Sequence, residues 1–225
     1  MDIRFADCGV RFGERVALQP LNLRLEGRRV GIIGLNGSGK TTFARLMIGL
    51  TSPSTGSVSV NGVEIKSPSD GRAAGTGFVF QTPQSQLIMP VVREDILFGL
   101  KARGIVSREA DACCAATLAR LGAENLAGRR VHELSGGEVQ LAAMASVLAL
   151  EPRLVVFDEP TSQLDLKNRR IVVSAIEALD EDAIIVTHDL ELAESLPRVL
   201  LFHEGRLEAD GSARDAIDRY RRLAA

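Results

Sequence analysis

The sequence predicts an α/β fold in which a parallel β-sheet core carries an inserted α-helical subdomain. Two short apolar runs, "LVVFDEP" (154–160) and "AIIVTH" (183–188), end in polar residues, which is typical of strands buried on both faces of a parallel sheet. Residues 91–150 are mostly helical in pattern, and strand patterns lie on both sides of them. We therefore expect one domain over residues 1–225, with a core formed by residues 1–81 and 151–225 and a helical subdomain formed by residues 82–150.

The remaining elements follow in chain order from local patterns. Residues 3–12 and 21–30 alternate apolar and polar side chains, as half-buried strands do. "GSVSVNGVEI" predicts a hairpin at Asn61-Gly62, because Asn-Gly favours the tight turn of a two-residue loop. Three further patterns predict, in order, a strand, a second hairpin and a terminal helix: "TGFVFQ" (76–81), "RVLLFHEGRLEADG" (198–211) and "ARDAIDRYRRLAA" (213–225).

Composition excludes several classes of protein. The chain has 225 residues, 45% hydrophobic and 25% charged, which is ordinary for a soluble globular domain with a sizeable core. A formal net charge of −2 gives no broad attraction to nucleic acid or anionic lipid, so we expect no nucleic-acid partner. The three cysteines, Cys8, Cys113 and Cys114, lack metal-ligand spacing, and their odd number favours a reduced, cytosolic compartment.

No segment predicts a membrane span or a secretory leader. The longest largely apolar stretch, Leu141–Leu150, is about half of the roughly 20 residues that a membrane helix needs. The N-terminus "MDIRFADCGV" has neither a basic region followed by an apolar stretch nor a cleavage site. We expect a chain that is soluble by itself and reaches a membrane only through a partner.

A glycine-rich segment between a predicted strand and a predicted helix forms a candidate phosphate loop. "GLNGSGKT" (34–41) fits the pattern G-x-x-x-x-G-K-[ST] and follows the apolar run "VGII". Glycines let backbone N–H groups surround an anion, and the helix N-terminus adds partial positive charge. Lys40 is expected to reach the β- and γ-phosphates, and the Thr41 hydroxyl to bind Mg²⁺. A glycine-rich turn with a chance lysine is the alternative. The expected nucleotide-binding residues of the loop are Asn36, Gly37, Ser38, Gly39, Lys40, Thr41 and Thr42.

Polar side chains follow the two predicted parallel strands. Ligands of open α/β sheets bind at the carboxyl ends of the strands, where Asp158, Glu159 and His188 are placed. Asp158 is a candidate for holding Mg²⁺ through water, and Glu159 a candidate general base for the attacking water. His188 is expected near the γ-phosphate. The alternatives are an exposed acidic pair before Pro160 and a surface or core histidine.

The glycine pair of "LSGGE" (134–138) precedes a long apolar run. Ser135 and Glu138 have the S-x-x-E spacing of a capping box, which predicts a helix start. A cap does not require two glycines, each of which costs roughly 1 kcal/mol relative to alanine inside a helix. Close approach of the backbone N–H groups of Gly136 and Gly137 to a phosphate would explain the pair.

Together with the phosphate loop, "LSGGE", "LVVFDEP", "SQLD" (162–165) and "TH" (187–188), in this order, resemble the ATP-binding-cassette (ABC) ATPases over nearly the whole chain. The resemblance implies a phosphate-loop (P-loop) NTPase core of RecA-like type, an N-terminal antiparallel β subdomain and an inserted helical subdomain. It implies ATP and Mg²⁺ as cofactors. It also implies two ATP molecules between two subunits, so that a lone copy would hydrolyse ATP poorly.

The resemblance implies further site residues. The signature residues Ser135, Gly136, Gly137 and Glu138 would contact the γ-phosphate of ATP bound to the other subunit. Three other residues would act at the nucleotide: Gln81 would sense Mg²⁺ and the attacking water, Asp165 would cross the dimer interface, and Phe12 would stack on adenine unless it is a core residue.

Three positions depart from the family pattern. Glu138 stands where glutamine is frequent, Leu141 where arginine is common, and Gln163 where a small residue is usual. None removes a catalytic group, and each could change the hydrolysis rate or the dimer contacts.

Residues 79–100, "VFQTPQSQLIMPVVREDILFGL", resemble the corresponding segment of energy-coupling-factor (ECF) transporter ATPases. This resemblance implies the ATP-hydrolysing subunit of an importer for a vitamin or a transition metal ion. The short C-terminal form, ending in "GSARDAIDRYRRLAA", resembles the ATPase of the biotin system, with the cobalt and nickel systems next. An ordinary ABC importer and a soluble ABC ATPase, such as one for iron–sulfur cluster assembly, are alternatives. Leu87, Ile88 and Met89 are either buried core or a groove for a membrane subunit.

Several partners follow from the ECF resemblance. The chain would pair with itself or with a sister ATPase. It would also bind a transmembrane coupling subunit and a substrate-binding membrane subunit, at the cytoplasmic face of the cell membrane.

Overall fold

The computed structural model describes residues 1–224, so Ala225, the last residue of the predicted terminal helix, lies outside the described residues. Contacts divide the chain into two compact units. The first contains Met1–Phe78, Arg153–Glu159 and the segment from Glu181 to the C-terminus, and the second contains Val79–Pro152 and Pro160–Asp180. Residues 160–180 are thus grouped with the helices, whereas the sequence analysis assigned them to the core. The subdomain boundaries at 81/82 and 150/151 stay predictions.

The first unit contains the strands and four helices. Its strands are β1 (Asp2–Phe12), β2 (Arg15–Glu26), β3 (Arg29–Gly34), β4 (Thr55–Val60), β5 (Val63–Glu64), β6 (Thr76–Val79, whose last residue begins the second unit), β7 (Leu154–Asp158), β8 (Asp182–Val186), β9 (Val199–His203) and β10 (Arg206–Gly211). Its helices are α1 (Lys40–Leu46), α2 (Pro68–Ala73), α7 (Leu190–Glu194) and α8 (Ala213–Ala224).

A six-stranded sheet carries the predicted core, in the order β10-β9-β3-β8-β7-β6. Strand β3 pairs in parallel with both β8 and β9, and β7 pairs in parallel with β8. Every residue of β7 is buried, as expected for a strand covered on both faces. The predicted α/β core is therefore confirmed, and β9 and β10 form the predicted second hairpin.

A four-stranded antiparallel sheet, in the order β2-β1-β4-β5, forms the predicted N-terminal β subdomain. Strands β4 and β5 pair across Val60 and Val63. The turn residues Asn61 and Gly62 have φ angles of 49° and 84°, which is the left-handed pair that a two-residue hairpin needs. The hairpin predicted at Asn61-Gly62 is confirmed.

Three phenylalanine rings join the two sheets of the first unit through helix α1. The ring of Phe43, in α1, stacks on Phe5 of β1 with the ring centroids 4.5 Å apart. On its other side it meets Phe202 of β9 at 4.8 Å. Phe43 is fully buried, so helix α1 is held between the antiparallel and the parallel sheet.

The second unit is helical, as the pattern of residues 91–150 predicts. Its α-helices are α3 (Val92–Ala102), α4 (Ser107–Arg120), α5 (Gly136–Leu148) and α6 (Leu166–Glu177). Short 3₁₀ turns lie at Pro83–Ser85, Glu124–Leu126 and Val131–Glu133. Within residues 1–224, no helix has the length and apolar character that a membrane crossing requires.

The cysteines are free thiols. Cys8 and Cys114 are buried, and Cys113 is half-buried. Burial raises the pKa of the Cys8 thiol to about 11, which makes the reactive thiolate rare near neutral pH. Cys8 therefore behaves as a small apolar core residue.

Substituting Phe43→Ala should remove the contact that joins helix α1 to both sheets. Truncating a buried phenylalanine typically costs about 3–5 kcal/mol, so we expect a large fall in the free energy of unfolding in urea. Phe12→Ala is the matched control, because Phe12 is 57% exposed and its loss should change stability by about 0.5 kcal/mol or less. Equal effects of the two substitutions would contradict the assigned role of Phe43.

Candidate functional site

The predicted phosphate loop connects the end of β3 at Gly34 to the start of α1 at Lys40. The backbone N–H groups of Gly37 and Gly39 donate to no acceptor within residues 1–224. The Ser38 hydroxyl is buried, and it too has no hydrogen-bond partner in that range. Unsatisfied donors at a helix N-terminus are suited to an anion.

Backbone packing fixes the position of the loop. Gly39 has a φ of 102°, and a Cβ at this position would lie 2.6 Å from the carbonyl oxygen of Ala17 in β2. The N–H of Gly205, in the turn between β9 and β10, donates to the Ser38 carbonyl at 3.0 Å. Since only glycine tolerates both the close approach and this φ, the loop lies directly on these two segments.

Lys40 is 6% exposed, and its ammonium donates to the carbonyl oxygens of Gly34 at 2.8 Å and Leu35 at 3.1 Å. Burial lowers the pKa of Lys40, while the charges of Glu159 and Asp158 oppose this shift. A buried ammonium held by neutral carbonyls lacks a full countercharge. Phosphate oxygens would provide that countercharge.

The side chains of Asp158 and Thr41, which the sequence predicts as magnesium ligands, are in contact. The Thr41 hydroxyl donates to Asp158 Oδ1 at 3.1 Å. Burial raises the pKa of Asp158, against the opposing effects of the Thr41 hydrogen bond and of Arg45. Within residues 1–224 no group of three or more His, Cys, Asp or Glu side chains could hold a metal. One carboxylate and one hydroxyl still fit Mg²⁺, which is commonly completed by phosphate oxygens and water.

Glu159 and His188, predicted at one sheet edge, are in direct contact. Glu159 Oε2 accepts from the His188 backbone N–H at 3.1 Å and lies 2.6 Å from His188 Nδ1. The tautomer of His188 with a proton on Nδ1 would donate a hydrogen bond to this carboxylate. Glu159 has a φ of 53°, and its N–H donates to the Val186 carbonyl. A non-glycine residue held in this conformation is frequent at functional sites.

Phe12 lies at the end of β1, opposite Arg15 in the strand register. It is 57% exposed, so the alternative that Phe12 is a core residue is wrong. Its stacking on adenine stays a prediction.

The signature residues lie at the start of α5 in the second unit. Ser135 N donates to Glu138 Oε2 at 2.8 Å, and Glu138 N donates to Ser135 Oγ at 3.4 Å, so the predicted capping box is confirmed. The backbone N–H and hydroxyl of Ser135 lower the pKa of Glu138, with a smaller effect from Arg129. Glu138, the departure from the frequent glutamine, therefore serves as a capping carboxylate.

Asn168 gives the glycine pair a second explanation, which the sequence analysis missed. A Cβ on Gly137 would lie 2.4 Å from Asn168 Oδ1, and one on Gly136 would lie 3.3 Å from Leu164. Asp165 holds Asn168 by accepting from its backbone N–H at 2.8 Å and its side-chain amide at 3.0 Å. Packing within the chain therefore requires glycine at position 137 independently of any phosphate. The D-x-x-N spacing at the helix start is the signal for this cap.

Of the two alternatives for Leu87, Ile88 and Met89, the core holds for Leu87, whereas a groove for a membrane subunit stays a prediction. Leu87 is buried, Met89 is half-buried, and Ile88 is 72% exposed. The buried carboxylate of Asp95 accepts from the N–H groups of Ile88 at 2.7 Å and Met89 at 3.0 Å. It also accepts from the Ser146 hydroxyl in α5 at 2.7 Å.

Three further positions complete the predicted site. Gln81 is exposed, and its role stays a prediction. Leu141, at the family's arginine position, is buried in α5, so an arginine there would place a charge at a buried position. Gln163 has a φ of 64°, a conformation that costs a non-glycine residue energy.

The fold and these motifs define an ABC ATPase. The sequence profile described as "ABC transporter" matches residues 18–162, more than half of the chain, and the chain belongs to this family. It is therefore an ATP-binding ATPase, as the motifs predict.

Two curated relatives are named for biotin transport. The chain is 57% identical to the "Biotin transport ATP-binding protein BioM" of Rhizobium etli over 227 aligned residues, covering 100% of both chains. It is 40% identical to the BioM protein of Rhodobacter capsulatus, covering 89% of this chain and 86% of the relative.

Solved structures agree with the observed architecture. The structure of cbiO1 from Clostridium perfringens, described as part of the ABC transporter complex cbiONQ, has a TM-score of 0.86 and 26% identity, covering 99% of this chain and 92% of cbiO1. The ATP-binding cassette MJ0796, a dimer bound to ADP and Pi, has a TM-score of 0.83 and 27% identity. The match covers 94% of this chain and 99% of the MJ0796 chain. The resemblance to ECF-type ATPases is confirmed.

Gly137→Ala separates the packing role of this glycine from a role in phosphate binding. Alone, the substitution should destabilise the protein and lower the ATPase rate, because the new Cβ meets Asn168. Adding Asn168→Ala should restore thermal stability, since the clash disappears. The ATPase rate of the double variant should stay at least about tenfold below that of Asn168→Ala alone, because the new methyl group still keeps phosphate away. Full recovery of the rate would mean that Gly137 serves packing only.

Proposed function

We propose that this chain is the ATP-hydrolysing subunit of an ECF-type importer that takes up biotin through membrane partners. The observation that carries the proposal is the 57% identity, over the whole of both chains, to a protein named for biotin transport. A transition metal ion is the second candidate substrate, because cbiO1 of the cbiONQ complex shares the fold, although at 26% identity.

The first unit would bind ATP and Mg²⁺. The phosphate loop, residues 36–42, would surround the phosphates with its N–H groups, and Lys40 would contact the β- and γ-phosphates. The Thr41 hydroxyl and, through water, the Asp158 carboxylate would hold Mg²⁺, which supplies charge neutralisation of the phosphates when bound. Phe12 would stack on adenine. The open N–H groups of the loop and the buried charges of Lys40 and Asp158 support this assignment.

Glu159 would act as general base in hydrolysis. A water oxygen attacks the γ-phosphorus, its proton passes to the Glu159 carboxylate, and ADP leaves with the electrons of the broken bond. Such proton transfer is worth roughly 10²–10⁴-fold in rate. The 2.6 Å contact between Glu159 and His188 Nδ1 suits a histidine that orients this carboxylate. Gln81 would help to place the water.

A second subunit would complete each ATP site. The signature residues Ser135, Gly136, Gly137 and Glu138 would contact the γ-phosphate of ATP held by Lys40 of that subunit, and Asp165 would lie at the interface. The dimer of MJ0796 with ADP and Pi supports this arrangement. The second subunit is another copy of this chain or a sister ATPase.

The segment around Ile88 would bind a transmembrane coupling subunit at the cytoplasmic face of the membrane. Ile88 is exposed and apolar, which suits docking of a partner helix. Asp95 ties its backbone to Ser146 of α5, the helix that begins at the signature. A displacement of the docking segment would therefore be transmitted to the signature helix within the second unit.

Glu159→Gln should bind ATP and hydrolyse it about 10²–10⁴-fold more slowly, because the amide cannot accept the proton of the attacking water. The ATP-bound dimer should then persist on size-exclusion chromatography. Glu64→Gln is the control, since Glu64 is exposed and pairs with the exposed Lys66. An unchanged ATPase rate in Glu159→Gln would rule out the general-base role.

Lys40→Ala should weaken ATP binding by at least about tenfold, since the buried cation at the phosphate loop is lost. Isothermal titration calorimetry with ATP measures this change in affinity. Lys66→Ala removes the same charge from an exposed position and should leave the affinity unchanged. Wild-type affinity in Lys40→Ala would overturn the phosphate-loop assignment.

Uptake of radiolabelled biotin in the source cells tests the transported substrate. Deletion of the gene for this chain should abolish high-affinity biotin uptake. Expression of the wild-type chain should restore uptake, whereas expression of the Glu159→Gln variant should not. The tagged chain should co-purify from detergent-solubilised membranes with membrane proteins. Normal biotin uptake with a loss of cobalt or nickel uptake would favour the metal importer. Absence of any membrane protein from the purified complex would favour a soluble ABC ATPase.

A further inference from the structure

The hairpin of β1 and β2 brings an arginine beside the phosphate loop. Arg15, the first residue of β2, pairs with Phe12 in the strand register, and both side chains are exposed. A Cβ on Gly37 would lie 3.8 Å from Nη2 of Arg15. The guanidinium is therefore in reach of an anion held at Gly37, whose N–H has no acceptor within residues 1–224.

Backbone contacts hold this arrangement in place. Two residues after Arg15, the Ala17 carbonyl lies against Gly39 of the loop. Further along β2, the N–H of Gln19 donates to the Gly205 carbonyl at 2.7 Å, and the N–H of Gly205 donates to the Ser38 carbonyl. Strand β2 thus runs along the loop, and the starting point of the Arg15 side chain is fixed relative to it.

The guanidinium of Arg15 has no salt-bridge partner among residues 1–224. Within residues 1–224 its guanidinium makes no hydrogen bond and no salt bridge, whereas Arg4 and Arg24 of the same sheet both pair with Asp2. Lys40, in contrast, has the carboxylates of Glu159 and Asp158 in its neighbourhood. An unpaired guanidinium, with donors arranged as a fork, suits phosphate oxygens.

We propose that Arg15 binds the phosphate chain of the ATP held in the phosphate loop of the same subunit. Arg15 thereby adds an exposed cation to the buried one of Lys40 and selects nucleotides with more than one phosphate. This proposal rests on the proposed nucleotide site but concerns a residue outside its sequence motifs.

Displacement of a fluorescent ATP analogue by ATP, ADP and AMP tests the proposal on the full chain. Arg15→Ala should weaken ATP and ADP binding about tenfold and AMP binding less than about threefold, because the contact is with the phosphate chain. Arg15→Lys should retain ATP affinity to within about threefold, since the charge remains. The dependence of ATP affinity on salt should become weaker in Arg15→Ala.

Arg11→Ala is the matched control. Arg11 lies on the same hairpin, is exposed, and its side chain has no partner within residues 1–224. Its loss should leave all three affinities within about twofold of the wild type, so that a general effect of removing positive charge is excluded. Far-ultraviolet circular dichroism and the melting temperature show whether each variant is folded.

Two results would overturn the proposal: ATP affinity of Arg15→Ala within about twofold of the wild type, or equal losses for ATP, ADP and AMP. The ATP affinity of Lys40→Ala, measured in the same assay, distinguishes a wrong role of Arg15 from a wrong assignment of the nucleotide site. If Lys40→Ala loses ATP binding and Arg15→Ala does not, only the role of Arg15 is wrong. If both retain full affinity, the site itself is wrong.

Discussion

The stacking of Phe43 between Phe5 and Phe202 is the contact on which the nucleotide site depends. Helix α1 carries Lys40 and Thr41, and the buried ring of Phe43 connects this helix to both sheets. The phosphate loop is then confined by backbone, because Gly39 lies directly on the Ala17 carbonyl. The site is therefore set by aromatic packing below the loop and by glycine contacts at its edge.

The buried charges of Lys40 and Asp158 oppose folding and favour the binding of a charged ligand. Burial disfavours the charged form of both Lys40 and Asp158, as the lowered and raised pKa values show. A chain selected for stability alone would exchange such groups for apolar ones. In the proposed nucleotide site, phosphate oxygens and a cation would complete the arrangement, so that ligand binding would offset the stability that these buried charges cost.

Local signals in the sequence predict much of this molecule. The phosphate loop, the buried strands, both hairpins and the capping box of α5 all rest on spacing within about ten residues. Contacts between distant residues were not predictable in the same way. The Glu159–His188 pair was expected only as a shared sheet edge, and the approach of Asn168 to Gly137 depends on how helices α5 and α6 pack. The proximity of Arg15 to Gly37 is another contact between distant residues, and no local sequence pattern predicts it.

Asp95 limits how the segment around Ile88 can change over evolution. It holds Ile88 and Met89 through their backbone N–H groups, which every amino acid except proline possesses. The side chains at these two positions can therefore be exchanged while the path of the segment and its bond to Ser146 stay the same. If Ile88 meets a membrane subunit as proposed, substitution at position 88 alone would change the exposed surface, while the Asp95 carboxylate keeps the path of the segment.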